Sequence, residues 1–226
     1  MLLTDVKTNL GASLDYDGKK VTFRLYSKNA QMVILCIFEK PKGQDALMNL
    51  EMHRIEGSDI WETSVKTYAL KNLKEPVFYG YRIFGANWQY RENFKPGTGI
   101  GFISRVDKDG NRFNPNKLAY DPYAKELSHL PSDVSQNLEI FRSGGDNYLY
   151  DNAKEAPKSV FWLDTPKEIT TVETRPFSQE VIAEVHIKDL TKNLPMQERG
   201  TYLGAAKFAP VIKRMGFTMV EFLPLQ

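Results

Sequence analysis

The stretch Asp17-Gly18-Lys19-Lys20-Val21-Thr22-Phe23-Arg24-Leu25-Tyr26 decides the fold class of the first half of this chain. Asp-Gly is a hairpin-type turn, because glycine takes the left-handed backbone that such turns need. After it Val21, Phe23 and Leu25 alternate with Thr22, Arg24 and Tyr26, the period of two that buries one face of a strand. Outward from this point the pattern repeats. Residues 32–38 form an almost wholly apolar run, and residues 60–65 and 77–84 follow, the last rich in β-favouring aromatics at Phe78, Tyr79, Tyr81 and Phe84. Asp109-Gly110 marks a further turn. No helical period is sustained from Leu10 to about Phe113, so this region predicts an all-β sandwich.

The far end of the chain has a different rhythm. Val181-Ile182-Ala183-Glu184-Val185-His186-Ile187 and Phe217-Thr218-Met219-Val220-Glu221-Phe222-Leu223 are short apolar runs that read as strands. Between them Phe208, Val211, Ile212 and Met215 recur at the spacing of one helical face, and Gly216 stands where a left-handed cap closes a helix. Strand, helix, strand is one βαβ unit with parallel strands, and both faces of a parallel sheet need cover, which suits a barrel or a doubly wound sheet. Pro210 falls inside the helical pattern, where it removes a donor and clashes with the preceding turn at a cost of ~3 kcal/mol. The helix is expected either to kink there or to begin near it.

Residues 127–177 sustain no period and are punctuated by Pro131, Gly144, Gly145, Pro157, Pro166 and Pro176. A connection lying over two domains is expected, with short strands such as residues 159–163. The expected organisation is a sandwich over 1–126, an irregular linker over 127–178 and the opening of a second domain over 179–226.

With 226 residues, 42% of them hydrophobic, the chain can bury an ordinary core. A net charge of +2, from 30 basic and 28 acidic residues, offers no basic footprint, so neither nucleic acid nor membrane is expected as a partner. Lys19-Lys20 and the lysines at 40 and 42 read as solvated loop charge. Residues 1–7 lack the apolar core of a signal peptide, and no run approaches the ~20 residues of a membrane span, so a cytoplasmic location is expected. Cys36, the single cysteine, lies in the apolar run 32–38 and reads as a small buried hydrophobe rather than a catalytic thiol. His53, His129 and His186 have no metal-ligand spacing; no metal and no cofactor are expected.

The segment Asn111-Arg112-Phe113-Asn114-Pro115-Asn116-Lys117-Leu118-Ala119-Tyr120-Asp121-Pro122-Tyr123-Ala124-Lys125-Glu126 resembles the sequence that closes the N-terminal β-domain of isoamylase-type glycogen debranching enzymes. Tyr79-Gly80-Tyr81-Arg82 and Gly85-Ala86-Asn87-Trp88 resemble that domain's penultimate strand, and Gly11-Ala12-Ser13 with Val21-Thr22-Phe23-Arg24-Leu25-Tyr26-Ser27 its first. Further on, Glu184-Val185-His186-Ile187-Lys188-Asp189-Leu190-Thr191 and Arg199-Gly200-Thr201-Tyr202-Leu203-Gly204 are similar to the first barrel strand and the approach to the first barrel helix of glycoside hydrolase family 13. Val220-Glu221-Phe222-Leu223-Pro224 resembles the second barrel strand. The resemblance implies a mainly β chain: an immunoglobulin-like family-48 carbohydrate-binding module, then the first β-α-β of an incomplete (β/α)8 TIM barrel that hydrolyses α-1,6 branch linkages in glycogen or amylopectin. Two positions depart from the pattern besides Pro210. Ala183 stands where a Tyr is usual, and Asp189 where a Gly is common.

Retaining glycosidases hold a nucleophilic carboxylate and a carboxylic acid ~5 Å apart. The resemblance implies that both follow later barrel strands, beyond Gln226, so no catalytic residue is expected in this chain and it is expected to be inactive alone. Glu184 and Glu221 match neither position and read as strand polar groups bonded to neighbours. Glucan binding, to glycogen or another branched α-glucan, is what such a fragment could retain, along with docking to the remainder of the barrel. A pyranose packs its C–H groups on an aromatic ring, so Trp88 and Tyr90 in Gly85-Ala86-Asn87-Trp88-Gln89-Tyr90, and Trp61, are the candidate contacts. The alternative is that these rings belong to the core, as large aromatics most often do.

Overall fold

The computed structural model describes residues 9–143, 145–163 and 175–224. The readings made at residues 1–7, Gly144, Pro166 and the last two positions lie outside the described residues. The chain separates into two compact units, Met1–Thr165 and Pro166–Gln226.

The first unit is a sandwich of two antiparallel sheets. Its strands in chain order are β1 (Gly11–Leu14), β2 (Lys20–Tyr26), β3 (Ala30–Phe38), β4 (Met48–Glu51), β5 (His53–Arg54), β6 (Ile60–Lys66), β7 (Val77–Gly85) and β8 (Ser159–Phe161). One sheet runs β1-β2-β6-β5 and the other β4-β3-β7-β8. The alternation in β2 does what its period requires. Val21, Phe23 and Leu25 are buried, while Tyr26 is exposed. Thr22 departs from the pattern and is buried, because its hydroxyl bonds to Asp15 Oδ1 (2.9 Å) and to Ser64 Oγ (2.9 Å) on the neighbouring strand. Across the sandwich the ring of Phe23 meets Tyr79 of the other sheet edge-on, with centroids 5.0 Å apart. Burying such a side chain contributes ~2–3 kcal/mol, so the core of β2, β3, β6 and β7 residues carries the unit.

Strand β3 does not alternate because it is covered on both faces. Val33, Leu35 and Ile37 belong to the sandwich core, whereas Cys36 and Phe38 pack with Leu118, Ala153 and Ala156. The second cluster is a third layer, made by residues 114–118, 138–143 and 145–156, on the outer face of the β4-β3-β7-β8 sheet. The first part of the expected linker is therefore built into the first unit. Asn152, Ala153, Ala156, Lys158 and Ser159 are all buried, and β8 pairs with β7 in the register Phe78 to Val160. The strand expected at 159–163 stops at Phe161.

A layer whose regular structure is one short 3-10 turn, Leu138–Phe141, must satisfy most of its backbone through side chains. Asn114 donates from Nδ2 to the carbonyls of Ser143 and Tyr148 (2.9 Å each). Asn116 donates to the carbonyl of Thr98 (3.0 Å) and accepts from Gly97 N (2.8 Å). Asn152 accepts from Leu118 N (2.8 Å), and Lys117 Nζ donates to the carbonyls of Asn147 and Tyr150 (2.7 Å each). The segment 111–126 that carries the family resemblance is thus a set of clamps. Beneath it Arg82 reaches the Pro115 carbonyl (2.6 Å) and pairs with Asp151 (2.9 Å).

The second unit contains β9 (Ile182–Val185), a short α1 (Ile187–Leu190), α2 (Tyr202–Arg214) and β10 (Met219–Phe222). Strands β9 and β10 are parallel, with Glu221 beside Glu184. Helix α2 begins at Thr201, whose hydroxyl accepts from Gly204 N (3.0 Å), and runs through Pro210. The alternative of a helix starting near Pro210 is corrected: the helix runs unbroken from Tyr202 to Arg214, and the carbonyl that Pro210 leaves without its donor belongs to Ala206, an exposed residue. At the other end Gly216, at φ +95°, and Phe217 donate to Lys213 O (3.1 Å) and Ile212 O (3.3 Å), the paired bonds of a left-handed cap. The expected apolar stripe is buried only in part. Gly204, Ala205 and Ile212 are buried, but Val211 and Met215 are exposed. Asp189 lies inside α1 with ordinary helical backbone, so the glycine usual there is not needed for the chain's path. No helix among the described residues is long and apolar enough to cross a membrane.

Candidate functional site

Trp88 is held in the turn that follows β7. Gly85 and Trp88 exchange both backbone bonds (3.0 Å each), while Asn87 donates to the carbonyls of Ser104 (3.2 Å) and Phe113 (2.8 Å) and accepts from Phe113 N (2.9 Å). This lock turns the indole inward. Trp88 is 1% exposed, donates from Nε1 to Ile100 O (2.8 Å) and meets the ring of Phe102 edge-on at 5.0 Å. Trp61 is 6% exposed and donates from Nε1 to Ser27 O (3.1 Å). The expectation that these rings offer a face to a sugar is corrected: both are core side chains with their one donor already used. Tyr90 is half-buried, stacked edge-on against Phe84, and its hydroxyl donates to Glu51 Oε1 (3.0 Å). Burial, and then the Glu51 carboxylate, hold its phenol above the ordinary value. Trp61 and Trp88 belong to different parts of the sandwich, on β6 and beyond the end of β7, and do not form one surface.

A different aromatic pair does line a common recess. Tyr123 and Trp162 lie there with Lys125, Leu10, Ala12 and Phe161, around a cavity of about 140 Å³. Tyr123 is 54% exposed and Trp162 49% exposed. The recess is positioned from below. Tyr79, in its floor, donates to Asp121 Oδ2 (2.8 Å), Tyr81 donates to the same oxygen (3.2 Å), and Asp121 Oδ1 accepts from Tyr123 N (2.8 Å). The buried carboxylate thus fixes the backbone that carries Tyr123, while burial first and then its charge push both phenols upward. Ser159 Oγ accepts from Asp121 N (2.7 Å) and ties β8, and so Trp162, to the same point. Sequence reading missed this pairing. The spacing between residues 123 and 162 carries no period, and only the pairing of β8 with β7 brings them together.

Two buried lysines belong to the outer layer. Lys158 Nζ donates to the carbonyls of Ala153 (2.5 Å) and Ala156 (2.6 Å), lies 4.7 Å from the Phe38 ring and is pushed down to about 8 by burial. Lys117 is pushed down to about 8 by the same cause. Cys36 is fully buried and its thiol is pushed up to about 11 by desolvation, which makes it inert. Glu184 and Glu221 are exposed and have no partner among the described residues, so the expected bonding to neighbours is not met. No group of three or more side chains able to hold a metal ion occurs among the described residues.

Residues 9–124 match the family described as carbohydrate-binding module 48, the isoamylase N-terminal domain. The chain is 38% identical over 224 residues to the isoamylase of Pseudomonas amyloderamosa, which takes in 96% of this chain and 29% of that protein. It is 33% identical over 217 residues to the glycogen debranching enzyme of Salmonella typhi, 93% of this chain and 28% of that protein. Its fold is shared with the catalytic module of SpuA, a glycogen-degrading pneumococcal virulence factor, at TM-score 0.62 and 19% identity over 96% of this chain and 27% of that one. The pullulanase SAP of Group B Streptococcus, in complex with maltotetraose, matches at TM-score 0.61 and 20% identity over 96% of this chain and 24% of that one. The chain spans less than a third of the length of each of these proteins.

Proposed function

The chain belongs to the family of carbohydrate-binding module 48, the isoamylase N-terminal domain, and on that premise we propose that it is the glucan-directed N-terminal region of an isoamylase-type enzyme acting on α-1,6 branch linkages. The observation that carries this reading is the continuity of the 38% identical alignment, which covers 96% of the chain and so runs through both units in order. The sandwich is the carbohydrate-binding module. The parallel β9-α2-β10 unit is the opening of a (β/α)8 barrel, whose active sites are built at the carboxyl ends of several strands.

In this reading the chain alone does not cleave glucan. A retaining glycosidase needs one carboxyl protonated and one ionised at ~5 Å, with their environments driving the two apart. Glu184 and Glu221 stand side by side on β9 and β10, but both are exposed, so burial does not set one apart from the other. Branched α-glucan is the partner, and nucleic acid and membranes are not.

Retardation of the purified chain in native gels containing glycogen, together with an assay for new reducing ends from amylopectin, tests the reading. The expected result is retardation without hydrolysis. Absence of retardation would remove the glucan-directed role, and release of reducing ends would remove the non-catalytic one.

A second reading, one half of a split hydrolase, is favoured by the apolar surface on the second unit. Val211, Met215, Met219, Phe222 and Leu223 are all more than a third exposed. Such residues suit cover by further barrel elements. Restored debranching on mixing with a polypeptide that carries the remaining barrel strands would establish it.

A further inference from the structure

We propose that the recess lined by Tyr123, Lys125 and Trp162 is the glucan-contact surface of the module, taking glucosyl residues of an α-1,4-linked chain, and that Trp61, Trp88 and Tyr90 are not. This inference rests on the glucan-directed reading above and names the surface responsible. Three observations carry it. Trp162 is the one tryptophan that is not buried, since Trp61 and Trp88 are 6% and 1% exposed. Its indole N–H, the Tyr123 hydroxyl and the Lys125 ammonium meet no hydrogen-bond or ion-pair partner among the described residues. By contrast the polar atoms of Trp61, Trp88, Tyr79, Tyr81, Tyr90 and Tyr150 are all taken up within the fold.

A sugar ring needs both kinds of group at one place, an apolar ring for its C–H face and free donors or acceptors for its hydroxyls. The recess supplies two rings and three free polar heads. Other exposed tyrosines, such as Tyr26 and Tyr68, do not line it. The site is also held in place before a ligand arrives. Asp121 anchors the Tyr123 backbone, and through Ser159 it anchors β8. Little ordering is then left to oppose binding. The neutral hydroxyls of glucan suit a single flanking cation; an anionic ligand would need more.

The test is affinity for maltoheptaose and retardation by glycogen, measured on the whole chain and on Trp162→Ala, Tyr123→Ala and Tyr26→Ala. Loss of a stacking ring is expected to weaken maltoheptaose binding about tenfold in each recess variant and to leave Tyr26→Ala unchanged. Trp162→Phe keeps a ring and should retain part of the affinity, which separates contact from misfolding. Because the other two indoles are buried, acrylamide quenching of tryptophan fluorescence reports Trp162, and saturating maltoheptaose should shield it. If the wild-type chain binds glucan and Trp162→Ala binds equally well, the recess is overturned while the module's role stands. Absence of binding by the wild-type chain would overturn both. Shielding of Trp162 by a polypeptide carrying the rest of an isoamylase-type barrel, and not by maltoheptaose, would make the recess a protein-docking face and overturn the proposal.

Discussion

The two units satisfy their side chains in opposite ways. In the first, the sandwich core is closed on both sheets, and the irregular layer outside it is clamped by Asn114, Asn116, Lys117 and Asn152. In the second, the buried apolar side chains among the described residues are few, chiefly Ala183, Ile187, Ala205 and Ile212, while Val211, Met215, Met219 and Phe222 lie more than a third open. The difference follows from architecture. Two antiparallel sheets close each other's apolar faces, whereas two parallel strands with α1 and α2 leave part of their apolar surface uncovered among the described residues.

The largest effect that would break this contrast comes from the cores. Phe23→Ala should lower the unfolding free energy of the first unit by ~3–5 kcal/mol, whereas Ile212→Ala should leave that transition unmoved. Equal shifts in a urea titration would show that the units share one cooperative core. Next is the part-buried ion pair of Arg82 and Asp151. Arg82→Ala strands the Asp151 carboxylate and should cost ~3 kcal/mol, while Lys207→Ala, which removes the exposed bridge to Glu198, should cost under ~1 kcal/mol.

A smaller effect concerns pH. Lys158 and Lys117 titrate at about 8 in the fold and at 10.5 in the unfolded chain. The unfolded state therefore binds more protons between those values, and stability rises as pH increases from about 8. Tyr79 and Tyr81 oppose this above 10, where the unfolded chain ionises its phenols and the fold does not. The urea midpoint should thus be higher at pH 9.5 than at pH 7.5, and Lys158→Met should flatten the rise; a midpoint that falls over that interval would count against the burial of these amines. The smallest effect is local. Gly216→Ala forces a left-handed residue and should cost ~1 kcal/mol in the second unit alone, read as faster tryptic cleavage at Lys213 and Arg214 with the first unit's transition unchanged.

Much of the sandwich is legible in the sequence because strand period is a local property. The alternation from Val21 to Tyr26 names the buried face of β2 correctly except at Thr22, where partners on another strand decide. The apolar run in β3 reads as a strand, but its two covered faces do not, since the covering layer has no period to recognise. Pro210 leaves two readings open in sequence; the exposure of Ala206 settles which holds.

The candidate site was less legible. Composition and motif pick out Trp61, Trp88 and Tyr90 as rings, and nothing local says that Asn87 turns Trp88 inward or that Glu51 occupies Tyr90. Tyr123 lies inside the segment that carries the family resemblance, yet its partner Trp162 sits in a stretch read as linker. By itself the sequence determined the β architecture, the βαβ unit, the inert cysteine and the family, because each rests on neighbours in the chain. Which aromatics meet water was decided only by the tertiary structure, because a ring's burial depends on what long-range strand pairing lays across it.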